Sequence, residues 1–178
     1  MNTQPQVIHC DVQIMAINGQ VIARLPEAAS EKLSSRGQVA VTGTINGRSF
    51  QTVLEPDGYW GHWMRAGDTL QQTTVGETVT LSITQTKDWP EPTVPADFAR
   101  ALKNAPEKVK QKWIDITPMA RWEWIRWVNA TGNTDTRAVR IEKSVSKLAG
   151  KHRRPCCFNL AACTDPELSR SGRLLQPT

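Results

Sequence analysis

QVAVTGTINGRSFQTVLEPDGYW, residues 38–60, decides how this chain is read. VAVTGTI and RSFQTVL alternate β-branched or apolar residues with polar ones, the period of a strand with one buried face. Asn46-Gly47 lies between them, and this dipeptide accepts the positive φ that a tight hairpin turn demands. Pro56-Asp57-Gly58 marks a second turn, since Pro presets φ and Gly follows without steric cost. The stretch predicts a meander whose third strand is YWGHWMR (59–65).

Outward from the meander the pattern holds on both sides. VIHCDVQIMA (7–16) and ETVTLSITQT (77–86) alternate in the same way. VIARLPEAASEKL (21–33) reads as a strand end running into a short helix, with Pro26 in the first turn and a stop at Gly37. Short strands with regular turns and one helix predict a small β-barrel over residues 1–88. KDWPEPTVP (87–95) carries three prolines, which cannot donate to a sheet and hold their predecessors extended. Residues 89–95 are therefore expected to be a linker.

Beyond it the period lengthens to three or four. Phe98, Ala101 and Leu102 share a helical face, as do Val109, Trp113 and Ile116, and Trp122, Ile125 and Val128. Thr117 and Pro118 suit an N-cap and first helical position. The last helix starts near Asn133 and stops at Gly150, with Ala138, Ile141, Val145 and Leu148 on one stripe. Residues 96–150 are read as a helical array and 151–178 as an aperiodic, cysteine-containing tail. The fold class expected is α+β.

Composition bounds the rest. The 178 residues are 39% hydrophobic and 22% charged, as in a water-soluble globular chain. No run approaches the ~20 apolar residues of a membrane helix. The start, MNTQPQVIHCDVQ, lacks the basic and apolar regions of a signal peptide, so a cytoplasmic location and reduced thiols are expected. The net charge of +5 is uneven: six Lys/Arg face nine Asp/Glu in residues 1–94, but sixteen face eight in 95–178. The basic half is where an anionic partner would bind.

The candidates for chemistry are few. Arg140, Lys143 and Lys147 form a basic stripe on the last helix, suited either to phosphates or simply to water. Arg137 lies in the first turn, where a cation opposes the helix dipole, so it calls for a carboxylate or a neighbouring domain. Of the seven tryptophans, Trp113, Trp122 and either Trp124 or Trp127 fit the helical core. Trp60 and Trp63 flank Gly61-His62 and point to opposite sides. The outward one, beside His62 and Arg65, suits stacking on a ligand or covering a docking surface. His9, His62 and His152 are scattered, and no glycine-rich phosphate loop or HExxH element occurs, so no catalytic residue is assigned. RRPCCFNLAACTDP (153–166) places Cys156, Cys157 and Cys163 close together. Adjacent cysteines fit a tetrahedral zinc site poorly, and a fourth ligand would have to be His152 or Cys10. The order of readings is packed thiols, then a disulfide, then a metal. No cofactor is expected.

VTGTINGRSFQTVLEPDG with VGETVTLSITQTKD resembles the bacterial family known as domain of unknown function 1905. VPADFARALKNAPEKVKQKWIDITPMARWEWIRWV with TDTRAVRIEKSVSKLAGK resembles the helical YdeI/OmpD-associated domain, named for bacteriocin protection. The first resemblance implies a double-split β-barrel, an architecture shared with some DNA-binding barrels. Neither implies an activity.

The function expected is a non-enzymatic binding or stress-protection module. It would bind nucleic acid or an acidic protein through Arg137, Arg140, Lys143 and Lys147 and through the Trp-rich barrel edge. The competing expectation is a small-ligand binder or enzyme, its pocket between the domains lined by His62, Trp63 and Arg137. A third is an oligomer joined through exposed tryptophans.

Overall fold

The computed structural model describes residues 4–67, 70, 73–156 and 159–178. The chain forms two compact units. The first runs to Pro90 and also takes in Asn159–Cys163 and Leu168–Thr178. The second begins at Glu91 and also takes in Thr164–Glu167. The segment read from sequence as one tail is thus shared between the two.

In the first unit, β1 (Val7–Ile17), β2 (Gln20–Arg24), β3 (Val39–Ile45), β4 (Arg48–Pro56), β5 (His62–Arg65) and β6 (Thr78–Gln85) close into a barrel of order β1-β2-β5-β4-β3-β6. Every pairing is antiparallel. Asn46 and Gly47 turn with φ of 49° and 77°, and Ile45 pairs with Arg48, as the Asn-Gly signal requires. Asn18 and Gly19 repeat the same angles between β1 and β2. Gly43 pairs with Phe50, and an added Cβ would come within 2.4 Å of the Ser82 carbonyl oxygen. The barrel interior is a continuous apolar cluster that includes Ile8, Ile14, Val41, Leu54, Met64 and Leu81.

Two expectations are corrected here. The helix expected to run to Gly37 is a single turn, α1 (Glu27–Ser30). After it the bonds tighten to i→i−3, Lys32 N–H to Ala29 and Leu33 N–H to Ser30. The strand expected over 59–65 begins only at His62, because residues 57–61 fold on themselves.

The last residues of the chain also belong to this unit. β7 (Ser169–Arg170) and β8 (Arg173–Leu174) form a hairpin turning at Ser171 and Gly172. A second apolar cluster joins Leu168, Leu174 and Cys163 to Ile17, Ile22 and Trp63. Successive β5 side chains alternate, so Met64 fills the barrel while Trp63 lies on the outer side beneath this segment. Trp63 is the docking surface for the chain's own C-terminal residues.

The second unit holds α2 (Ala96–Lys103), α3 (Glu107–Asp115), α4 (Pro118–Asn129) and α5 (Thr134–Ala149). Thr117 caps α4 by accepting from the Ala120 N–H, and Asn133 caps α5 by accepting from the Thr136 N–H. α4 is buried on most sides, with Ala120, Trp124, Ile125 and Val128 in the core. Trp124, not Trp122, is the fully buried indole. On α5 the buried stripe is Ile141, Ser144 and Leu148, while Ala138 is exposed. Ser144 tolerates burial because its hydroxyl donates to the Arg140 carbonyl at 2.8 Å. No helix among the described residues is long and apolar enough to cross a membrane.

Candidate functional site

The loop between β4 and β5, Asp57-Gly58-Tyr59-Trp60-Gly61, is organised by one buried carboxylate. The Asp57 side chain is only 3% exposed. Its Oδ2 accepts from Nε and Nη2 of Arg24 at 3.1 and 2.8 Å. Its Oδ1 accepts from the Tyr59 and Gly61 N–H groups at 2.7 and 2.9 Å. The Asp57 N–H donates to the Gly61 carbonyl at 3.0 Å and closes the turn. Both glycines are sterically required. A Cβ on Gly61 would come within 2.6 Å of Asp57 Oδ2, and one on Gly58, at φ +78°, within 2.0 Å of the Gly172 carbonyl oxygen.

This frame pushes two aromatic rings outward. Tyr59 is 46% exposed and Trp60 is 69% exposed. Trp60 has φ +69°, a region that bulky L-residues avoid, at a cost of about 1–3 kcal/mol. Arg36 holds it there. Its Nη1 donates to the Trp60 carbonyl at 2.7 Å, and its Nη2 donates to the Ser30 and Leu33 carbonyls at 2.7 and 2.8 Å. One guanidinium thus ties the end of α1 to the strained residue.

The C-terminal hairpin completes the site. The Leu174 N–H donates to the Asp57 carbonyl at 2.9 Å. Arg173 places its guanidinium 5.3 Å from the Tyr59 ring centre, and Arg24 approaches the same ring at 5.4 Å. Beside these rings lies a hollow of about 720 Å³, lined among others by Arg24, Glu27, Glu31, Arg36, Tyr59 and Trp60. A rigid, exposed aromatic pair with guanidinium neighbours is the composition that dominates binding energy at protein interfaces.

The residues singled out from sequence are distributed otherwise. His62 is fully buried, so it meets no ligand at the surface. Its Nε2 lies 2.9 Å from the Gly37 carbonyl, which only accepts, so the proton sits on Nε2. Nδ1 has no hydrogen-bond partner among the described residues. Burial, with Arg36 nearby, lowers the His62 pKa below its ordinary value of 6.5. Trp63 is equally buried and donates its indole N–H to the Pro56 carbonyl at 3.1 Å. Neither residue is open to solvent in this structure. Arg65 is exposed, reaches Gln20 at 2.6 Å and lies over the Trp63 ring.

The basic stripe on α5 is partly engaged. Arg137 forms a two-pronged pair with Asp97, Nε to Oδ2 at 2.6 Å and Nη2 to Oδ1 at 3.0 Å, and reaches Asn129 at 2.8 Å. That pair lowers the Asp97 pKa and raises that of Arg137. A first-turn cation needed a carboxylate, and α2 supplies it. Arg140 donates to the Trp127 carbonyl at 2.8 Å and stacks on its ring. Lys147 lies over the same ring and reaches Cys156 Sγ at 3.3 Å. Of the four, Lys143 alone is exposed. Among the described cysteines, Cys10, Cys156 and Cys163 form no disulfide with one another; Cys156 is exposed, and Cys163 is buried with its N–H donating to the Gly172 carbonyl. Cys157 lies outside the described residues.

Sequence reasoning named Trp63 as the candidate and left open which of Trp60 and Trp63 faces outward; the structure buries Trp63 and exposes Trp60. Arg24, Arg36, Asp57 and Arg173 are scattered over the chain, and only the Asp57-Gly58 and Gly61 spacing signals a constrained loop locally.

Two family models match the chain. The one described as Domain of unknown function (DUF1905) covers residues 11–83. The one described as Bacteriocin-protection, YdeI or OmpD-Associated covers residues 91–151. Nothing among curated proteins matches the chain.

Proposed function

We propose, from the premise that the chain joins a DUF1905 barrel to a YdeI/OmpD-associated helical domain, that it is a non-enzymatic module binding a protein partner through Tyr59 and Trp60. The observation that carries this reading is Trp60 itself. A large apolar side chain stands 69% exposed on a backbone at φ +69°. Such a residue adds nothing to the stability of the isolated barrel. Strain that is held in place by dedicated contacts belongs to recognition sites. The Arg36 clamp and the Asp57 hub are those contacts. The backbone that carries the rings is held before binding, so less conformational entropy is lost on association.

Photo-crosslinking tests it. Benzoylphenylalanine at position 60 is expected to give a discrete adduct in cells, and the same probe at the exposed hairpin position 48 is not. Identical adducts at both positions, or none at 60, would overturn the reading. Sedimentation of the purified chain tells whether the partner is a second copy.

A second reading, single-stranded nucleic acid, is favoured by the charge of the helical unit. There fourteen Lys/Arg stand against nine Asp/Glu, while the barrel unit is balanced at eight each. Its test is the anisotropy of a labelled oligothymidine at low salt. Binding should fall as salt rises and weaken on exchange of Arg140 and Lys143 for Glu. No binding at low salt excludes it.

A further inference from the structure

We infer that the protein partner presents an acidic segment, its carboxylate seated on Arg173 beside Tyr59 and its next apolar side chain lying on Trp60. This rests on the protein-binding reading above and names the chemistry of the occupant.

The charges around the two rings are not equivalent. Arg24 approaches Tyr59, but its Nε and Nη2 are already bonded to Asp57. The Arg36 guanidinium donates three bonds to backbone carbonyls. Asp57 is buried and cannot meet a partner. Arg173 is exposed, stacks on Tyr59, and pairs with no carboxylate among the described residues. It is therefore the cation beside the exposed rings that is open to a new anion. A guanidinium held against an aromatic face keeps its outer N–H edge free for a two-pronged carboxylate contact.

The hollow beside the rings also holds carboxylates. Glu27 and Glu31 line it, and both are exposed. A second carboxylate there would meet like charge. The segment's acid therefore belongs at Arg173 and its apolar side chain on Trp60, and any residue that reaches Glu27 and Glu31 should be neutral or basic. Complementary charge of this kind sets register more than raw affinity.

The test uses the full chain labelled with 15N and the Trp60 indole signal assigned through Trp60→Phe. The probes are the capped peptide Glu-Glu-Leu-Phe-Ser-Gly and its counterparts with Gln or Lys in place of both Glu. The Glu peptide is expected to shift the Trp60 signal with an affinity about fivefold above that of the Gln peptide, the worth of one exposed ion pair. The Lys peptide should be weakest. Arg173→Glu should reverse the order of the Glu and Lys peptides, and Arg173→Gln should abolish the difference. Both side chains sit at the surface, and an unchanged thermal midpoint verifies the fold. Equal binding of all three peptides would refute the acidic assignment while leaving the aromatic docking site standing. Failure of every peptide to move the Trp60 signal would overturn the assignment together with the site.

Discussion

Replacing Asp57 with Ala tests the physical account of the loop most directly. The substitution removes four hydrogen bonds accepted by one carboxylate, two from Arg24 and two from backbone N–H groups. Deleting one partner of a buried ion pair costs about 3–5 kcal/mol, because the other charge is left without compensation. Arg24 is 32% exposed and regains water, which trims that part to about 1–2 kcal/mol. The orphaned Tyr59 and Gly61 N–H groups add about 1 kcal/mol each where water does not reach them. The expected total is about 2–4 kcal/mol. Urea unfolding followed by circular dichroism should show a lower midpoint with an unchanged slope. The companion variant Arg24→Ala should lose less, since the Asp57 carboxylate keeps its two backbone donors. The double variant should then be more stable than the sum of the single losses implies, by at least about 1 kcal/mol. A loss for Asp57→Ala below about 0.5 kcal/mol, or strict additivity with Arg24→Ala, would refute the view of Asp57 as the hub.

Further outcomes follow from other residues. Trp60→Asn should raise stability by about 1 kcal/mol, since Asn accepts the left-handed backbone that Trp resists, while the crosslinkable partner is lost; a lower melting midpoint would show that Trp60 is not strained. His62 is neutral when folded and its pKa is lowered, so the unfolded chain binds the extra proton first. Its contribution is complete above pH 6.5 and falls as pH drops towards the folded value, by at most about 1.4 kcal/mol per pH unit; His62→Gln should flatten that part of the stability profile, and an unchanged slope would contradict it. Arg137→Ala should cost about 1 kcal/mol at neutral pH, given the partly exposed pair with Asp97. Because the Asp97 pKa is lowered, that contribution is present above 3.8 and disappears as pH falls through the folded value, which acid titration of both proteins would reveal.

The barrel was legible because its strands alternate and its turns carry the residues that tight turns need. Asn46-Gly47 set the first hairpin register. Asn18-Gly19 carries the same signal, but it was hidden between a long strand and a segment read as strand-to-helix. The turn after α1 was overextended because Ala29 and Leu33 do mark a buried face, while the carbonyls there are taken by the Arg36 side chain, a kind of bond that apolar periodicity does not report. On α5 the pattern of apolar residues passed over Ser144, whose hydroxyl is satisfied within the helix. The aromatic site was legible only in part. Trp60 and Trp63 do diverge, yet which one faces water depends on Leu168 and Leu174, far along the chain. The partners of Asp57 and Tyr59 come from positions 24 and 173, and no local pattern connects them.

That distance has a consequence for synthesis. The barrel strands leave the ribosome first, and the whole helical unit follows before Leu168–Thr178 emerges. Until then Trp63 lacks its cover, Asp57 lacks its bond from Leu174, and Tyr59 lacks one of its two cations. The face proposed to bind a partner is therefore completed only once Leu168–Thr178 has emerged, and a product lacking that segment carries the rings without the contacts that hold them. Such a chain also exposes an apolar surface for as long as the hairpin is missing, a species open to aggregation or to chaperones. An expressed fragment cut at residue 83 or 90 would reproduce that immature state rather than a free-standing domain.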